Sequence, residues 1–459
     1  QNTPTDAEHV DYLNNPNHLT KRVNNLEYNA NRNPSATPDN RPAAPTVLAE
    51  GEHSMFLFGP NKYADAQKIY VTPSTGSESG PGTIDQPYDT LKNAWNGNKT
   101  SLANATIILT EPGLYDLVGL HKSKSNPGWV TIEGNLDFDQ KVKDQQVILF
   151  DSKSSNSSSI KSKFVHFKNL CFESTIMKFL NANNDDSYFW YDDTYHPDAE
   201  GRYGNAPRGA HGLVNSNQRP IALYVDGSSF FDRRKSCGGC VIVRNTDFTK
   251  AADTDIYSNS SMVLDCTASD IRLSPDSDAH IDIWQLTGSN TSYPVMRNKI
   301  CFGLRGWNLE HVQPMLLDQT RSEFDRIAVV DFGCEHTDNG PEGVGFNSLT
   351  NHFFMSNCSF NQFLRPNGVY TNSLIQNTTF KFWESAAGSS SVPPGIWVRN
   401  CLTSNTKRLS GDGKNDSGMW EYILVGDFTL SWNGAELIHD GDGWDLAVET
   451  GGKPLPGFI

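Results

Sequence analysis

The chain has 459 residues, 37% of them hydrophobic and 20% charged, with a formal net charge of -15 and a sequence pI of about 5.2. A chain this long can bury a sizeable core, and its negative charge argues against binding a nucleic-acid backbone. No apolar run is long enough to insert in a membrane as a helix, and eight cysteines are too sparse for a disulfide scaffold.

Residues 1–65 differ from the rest, being rich in Asn and, between Pro34 and Pro45, in Pro. A helix is predicted over Ala7 to Asn29, with Val10, Leu13, Leu19, Val23 and Leu26 as its contacts, followed by a linker over Asn31 to Thr46. This arm is expected either to dock on a partner or to cover an open end of the domain behind it. Gln1 fits either a processed N-terminus after signal-peptide removal or a boundary of the expressed chain.

From residue 66 to 435 the pattern is one of short apolar segments. Ala105 to Leu109, Trp129 to Glu133, Val147 to Phe150 and Phe164 to Cys171 open it irregularly. Ala222–Asp226, Val241–Asn245, Met262–Cys266, Val295–Asn298, Ala328–Asp331, Phe353–Asn357, Ser373–Asn377, Ile396–Asn400 and Tyr422–Gly426 continue it at spacings of about 20 to 33 residues, the length of one solenoid coil. These segments are too short and too β-branched for helices, whereas stacked parallel strands let each coil bury its apolar side chains against the next. The Asn or Asp closing most of them suits a turn, because both residues tolerate left-handed dihedrals and bond nearby backbone. A β-sandwich would give turn signals every 8–12 residues, while here one strong strand dominates each period. The predicted class is therefore all-β, a parallel β-helix solenoid, with residues 436–459 as a C-terminal cap or tail.

The run from Ile69 to Trp95, IYVTPSTGSESGPGTIDQPYDTLKNAW, resembles the opening segment of pectate-lyase-like right-handed parallel β-helix proteins. The resemblance implies a first strand, a turn made by Gly76, Gly80 and Gly82, and after Pro87 a short capping helix with Leu91, Ala94 and Trp95 inward. It implies little about chemistry, since polysaccharide lyases, glycoside hydrolases, epimerases and phage tailspikes share these coils. No clean Asn-Lys-Arg arrangement of the chondroitinase- and alginate-lyase-like branch is present.

Cys171, Cys266, Cys301, Cys334, Cys358 and Cys401 sit in or beside strands, where small buried thiols pack between coils. Cys237 and Cys240 have the spacing to close a tight disulfide. Sequons at Asn98, Asn104, Asn156, Asn259, Asn290, Asn357, Asn377 and Asn415 are unsurprising in so Asn- and Ser-rich a chain.

Chemistry is expected in the long departures from the coil period, because solenoid insertions usually gather on one face. The first brings together Asp276, Asp278, His280, Asp282, Trp284 and Gln285. With Ile281 and Ile283 inward, alternation sends His280, Asp282 and Trp284 outward, as in the His-x-Asp-x-x-Gln segment of many carbohydrate-handling β-helix proteins, which this stretch resembles. A structural turn network is the competing account. The second insertion contributes Arg305, Trp307, His311, Gln313 and Arg321, and a later strand exit adds Glu335, His336 and Asp338. Strands about 4.8 Å apart would bring Asp282, Arg305 and Glu335 to one groove.

Hydrolysis of a glycosidic bond needs two carboxyl groups, for which Asp282 and Glu335 are the candidate pair. Elimination from a uronate needs a base, His280 or His336, and a cation, Arg305 or Arg321, with calcium held by Asp276, Asp278 and Asp282 as its replacement. Substrate contacts are expected from Trp284, Gln285, Trp307 and His311. A second aromatic stretch offers Tyr188, Trp190, Tyr191, Arg202, Arg208 and His211 as a glycan clamp, or as a loop packed on the solenoid. Asp440, Asp442 and Asp445 have oxygen ligands at calcium-like spacing without the terminal Glu of a full calcium loop. The leading expectation is an extracellular lyase or hydrolase acting on an acidic or sulfated polysaccharide, as a monomer or homotrimer. The alternative is a glycan-binding or structural protein of a virion or cell surface.

Overall fold

The computed structural model describes residues 67–97, 102, 105–117, 120, 129–150, 164–172, 187–197, 221–231, 240, 242–250, 255–272, 281–287, 295–318, 323–337, 344–346, 349–366, 369–371, 373–376, 378–383, 396–405, 419–425, 429–432 and 437–440. The predicted arm and linker of residues 1–65 lie outside them.

The architecture is an all-β parallel solenoid. Strands from Gln67–Val71 to Met419–Val425 pair in parallel, each with the equivalent strand one coil later, to form a first face. A second face runs from Gly113–Asp116 through Asp247–Thr249, Thr267–Ser269, Arg305–Leu309 and Gly333–His336 to Thr379–Trp383. A shorter third face holds Ile281–Thr287, Val312–Asp318 and Val344–Phe346. The coils unite because one register runs through the first face. Ile107, Ile132, Phe167, Tyr191, Val225, Val243, Val263, Cys301, Val329, Met355, Ile375 and Val398 are successive Cα partners, and all are buried. No single coil has enough apolar surface to do this alone.

The first corner, between the first and second faces, uses the predicted turn chemistry. Asn169, Asp193, Asn245, Asp265, Asp331 and Asn357 all have φ between 47° and 56°, and Gly227 and Gly303 occupy the same place with φ of 59° and 68°. Backbone bonds cross from coil to coil here: Asn245 N–H donates to Leu264 O, Asp265 N–H to Phe302 O, Asp331 N–H to Ser356 O. The chain thus turns in the left-handed region, which Asn, Asp and Gly enter at least cost. The strands predicted to begin at Ala328, Phe353 and Tyr422 start earlier, at Glu323, Leu349 and Met419, and two predicted strand ends move later. The strand beginning at Val295 runs past Asn298 to Phe302, because Ile300 and Cys301 continue the buried ladders and Gly303 supplies the turn. The strand beginning at Ile396 likewise passes Asn400 and ends at Asn405.

Inside the second face the core is aromatic. His196 stacks between Phe172 (4.9 Å, 6°) and Phe230 (4.3 Å, 11°), and Phe230 stacks on Phe248 at 5.3 Å. The predicted cysteines pack as buried residues, and burial pushes the thiols of Cys266 and Cys358 up to about 12, far from reactive values. Cys240 is buried too, while Cys237 lies outside the described residues. At the N-terminal end, a Cβ on Gly76 would stand 2.2 Å from Tyr88 O, so the glycine turn packs directly on the following segment. The helix Leu91–Gly97 buries Leu91, Ala94 and Trp95. After the last coil, Thr429–Trp432 and Leu437–Asp440 form an antiparallel pair.

Candidate functional site

The corner between the second and third faces gathers polar side chains that remain partly exposed. It begins where the outer side of the second face ends. There Phe231, Thr249, Ser269 and Trp307 are Cα partners in successive coils, with Thr249 and Ser269 hydroxyls 3.2 Å apart and Lys250 Nζ 5.0 Å from the Phe231 ring. Phe231, Thr249 and Trp307 are half-buried. The strip therefore offers aromatic surface at both ends and the Thr249 hydroxyl between them, with Ser269 buried beneath it.

A β-bulge shapes the corner itself. Gly306 pairs with Cys334 and Leu309 with His336, so Trp307 and Asn308 together oppose the single residue Glu335. Asn308 turns left-handed (φ 53°), as do Asp270 and Lys250 in the preceding coils. The bulge takes the Asn308 N–H out of the strand ladder, and Glu335 Oε2 accepts it at 2.9 Å. The Asn308 side-chain amide donates to Asp270 Oδ1. One residue thus holds two carboxylates, one from the coil on each side. Arg272 and Glu310 bridge the same corner, with Nε 3.6 Å from Oε2, and His311 follows, exposed at φ 55°.

Of the predicted residues, Trp307, His311 and Glu335 meet at this corner. Asp270, Arg272, Asn308 and Glu310 join them without having been singled out, and the available signal was weak. Asp270 follows a short strand, as the first-corner residues do, and Asn308 sits at a bulge inside one, both in segments too polar to register as strand ends.

Other predicted residues are placed differently. Asp282 and Trp284 do not point outward. Ile281 through Trp284 are all fully buried, so the third face is covered on both sides and alternation cannot expose either residue. Trp284 belongs to the core, with Nε1 donating to Ser260 O at 3.3 Å, and the backbone around Asp282 pairs with the Asp255–Asn259 segment. Gln285 is buried in the same strand. Asp282 is the Cα partner of Gln313 on the third face, whereas Glu335 lies on the second; the expected Asp282–Glu335 pair is replaced at this corner by Asp270 and Glu335. Arg305 belongs to the first corner, where it pairs with Asp331 Oδ1 at 2.8 Å and donates to Asp331 O and Leu304 O. His336 is buried with Nε2 2.9 Å from Val312 O, to which it donates, so it is no surface base. His280, Arg321, Arg208, His211, Asp276, Asp278, Asp442 and Asp445 lie outside the described residues, as do Arg202 and Asp338. The backbone of Asp440 pairs with Thr429 in the C-terminal hairpin. Among the described residues, no group of three or more His, Cys, Asp or Glu side chains is arranged to hold a metal ion, and no helix is long and apolar enough to cross a membrane.

The second aromatic stretch is a solenoid strand, not a loop: Ser187–Asp192 pairs with Phe164–Lys168 and Ile221–Asp226, which puts Tyr188 beside Phe164 and Ala222 in register. Tyr191 faces the core. Trp190 lies buried on the other side, stacked on Tyr224 at 5.6 Å and edge-on to Trp129 (6.2 Å) and His166 (5.9 Å). His166 Nδ1 is 3.2 Å from Thr131 Oγ1, and Nε2 is 3.2 Å from Asp192 Oδ2. Desolvation lowers the His166 pKa despite the opposing pull of Asp192, which leaves a neutral ring donating to the carboxylate and accepting from the hydroxyl. The unfolded chain therefore takes up a proton near pH 6.5 that the folded chain refuses, and stability falls as pH drops through that value. Urea unfolding at about pH 7.5 and about pH 5.5 is expected to show a larger loss for the parent than for His166→Gln, which cannot titrate; equal losses would contradict it.

The class so defined is a parallel β-helix with a polar, partly exposed corner beside an aromatic strip. No protein-family model matches the chain, and no curated protein matches it either. Among solved structures, the chain is similar to the GH136 lacto-N-biosidase from Eubacterium ramulus, in its selenomethionine derivative and native forms, with 9% sequence identity to each. The TM-score is 0.32 in both cases, covering 78% and 81% of this chain and 67% and 70% of the other. A likeness that low carries no weight for activity.

Proposed function

We propose that this protein is a carbohydrate-active β-helix that binds a neutral glycan across the second corner and hydrolyses it with Asp270 and Glu335. The observation carrying this reading is the convergence of two carboxylates from different coils on Asn308, beside a half-buried Trp307. Two strand spacings of about 4.8 Å set the scale of their separation, and the shared partner draws them inward. That range overlaps the roughly 6.5–9.5 Å of inverting glycosidases, in which one carboxyl protonates the leaving oxygen and the other activates water. Trp307 supports sugar stacking, and Thr249 and Asn308 support bonding to hydroxyls. Asp270, Glu310 and Glu335 outnumber Arg272 and Lys250 at the corner, which favours a neutral over an acidic chain. Elimination is less well supported, because His336 and Arg305 are committed to other partners.

Binding without cleavage is the second reading, favoured by the occupation of both carboxylates by Asn308. Incubation with neutral, uronate and sulfated polysaccharides separates the two. New reducing ends without the ultraviolet absorbance of unsaturated uronates are expected from neutral chains; retention on such a chain with no new ends would establish binding alone. Trp307→Ala is expected to weaken retention about tenfold, the equivalent of roughly 1.4 kcal/mol of stacking. Undiminished retention in that variant would remove the second corner from the proposal.

A further inference from the structure

The corner between the third and first faces carries a second arrangement with chemical potential. Lys299 lies in the strand Val295–Phe302, one residue before Ile300, whose N–H donates to Ser261 O in the preceding coil. The register that makes Ile300 the partner of Met262 brings Lys299 beside Ser261. In the next coils the position of Lys299 is taken by Ile327 and then Phe353, both core residues. An amine in this row is therefore held at the edge of the apolar interior. Its contact is with the Ser261 hydroxyl, Nζ to Oγ 2.6 Å, and among the described residues no carboxylate pairs with it. Burial lowers the Lys299 pKa to about 8. Ser261 and Lys299 both keep part of their surface open to solvent. A structural lysine would ordinarily meet a carboxylate; among the described residues this one meets the Ser261 hydroxyl.

We propose that Ser261 and Lys299 form a nucleophile–base pair that cleaves acyl esters. Neutral Lys299 takes the hydroxyl proton as Ser261 Oγ bonds to the ester carbonyl carbon. The carbon–oxygen bond to the alcohol then breaks, and the ammonium returns that proton to the departing alkoxide. Water then loses a proton to the same amine as its oxygen bonds to the acyl carbon, the bond from that carbon to Ser261 Oγ breaks, and the ammonium returns the proton to Oγ, releasing the carboxylic acid and regenerating the hydroxyl. The site is separate from the second corner, and the inference does not depend on the glycan reading.

The test uses the whole chain with 4-nitrophenyl acetate as substrate and a fluorophosphonate as label, followed by peptide mass spectrometry. The expected result is a label on Ser261 and nitrophenol release that climbs as pH rises through about 8. Ser261→Ala should abolish both. Lys299→Arg keeps a cation that can still donate to Ser261 but cannot act as base, and should slow both by about 10²-fold or more. A native circular dichroism spectrum checks the fold of each variant. Absence of label from Ser261 in folded parent protein at a pH above about 8 would overturn the proposal, as would Lys299→Arg labelling as fast as the parent. Hydrolysis that persists in Ser261→Ala would assign the esterase signal elsewhere and overturn it equally.

Discussion

Trp284→Ala is expected to destabilise the fold by about 3–5 kcal/mol, the usual range for truncating a buried tryptophan. The ring is among the largest fully buried side chains, packed in the same strand as Ile281, Ile283 and Leu286, which are also inaccessible. Truncation opens a cavity between coils and leaves Ser260 O without its indole donor. Trp284→Phe, which keeps an aromatic ring and loses the indole N–H, should fall between parent and alanine variant. Urea unfolding followed by circular dichroism reads both. An unchanged midpoint together with lost glycan retention would mean that the ring is a binding platform after all, and would reverse its assignment to the core. The effect should be large because the third face is short, so that few other side chains can close the gap.

Glu335→Gln and Asp270→Asn are each expected to lower glycan hydrolysis by about 10²–10⁴-fold, the usual contribution of a positioned acid or base. Both replacements are isosteric. In the first, the new carboxamide would still present an oxygen to the Asn308 N–H; in the second, it would present one to the Asn308 side-chain amide, so the bulge and the fold should survive. The variants thus separate chemistry from architecture: retention on the glycan should persist while new reducing ends disappear. Undiminished turnover in both would end the hydrolase assignment and leave the corner as a binding surface. Asp282→Asn provides the comparison, because a carboxyl buried on the third face should influence stability and leave turnover unchanged.

The solenoid was legible because its signals are local. Short apolar strands such as Met262–Leu264 and the end of Glu323–Val330, each followed by a residue that tolerates positive φ at Asp265 or Asp331, fix both the strand and the turn without reference to the rest of the chain. The buried cysteines were readable on the same grounds, whereas the glycine turn before Leu91–Gly97 was expected from the resemblance of Ile69–Trp95 to β-helix opening segments. The tertiary structure decided which side chains meet. Outward alternation of Asp282 and Trp284 assumed a strand with one wet side, whereas stacking covered both sides of that strand, a fact no local period encodes. The partnership of Asp270, Asn308 and Glu335 depends on three coils of unequal length and on a bulge that shifts register by one residue; the proximity of Lys299 to Ser261 depends on a parallel register spanning a long insertion. Residues far apart in the sequence become neighbours only after the hydrogen-bonded ladder closes. The sequence by itself therefore determined the coil, and the register between coils decided its sites.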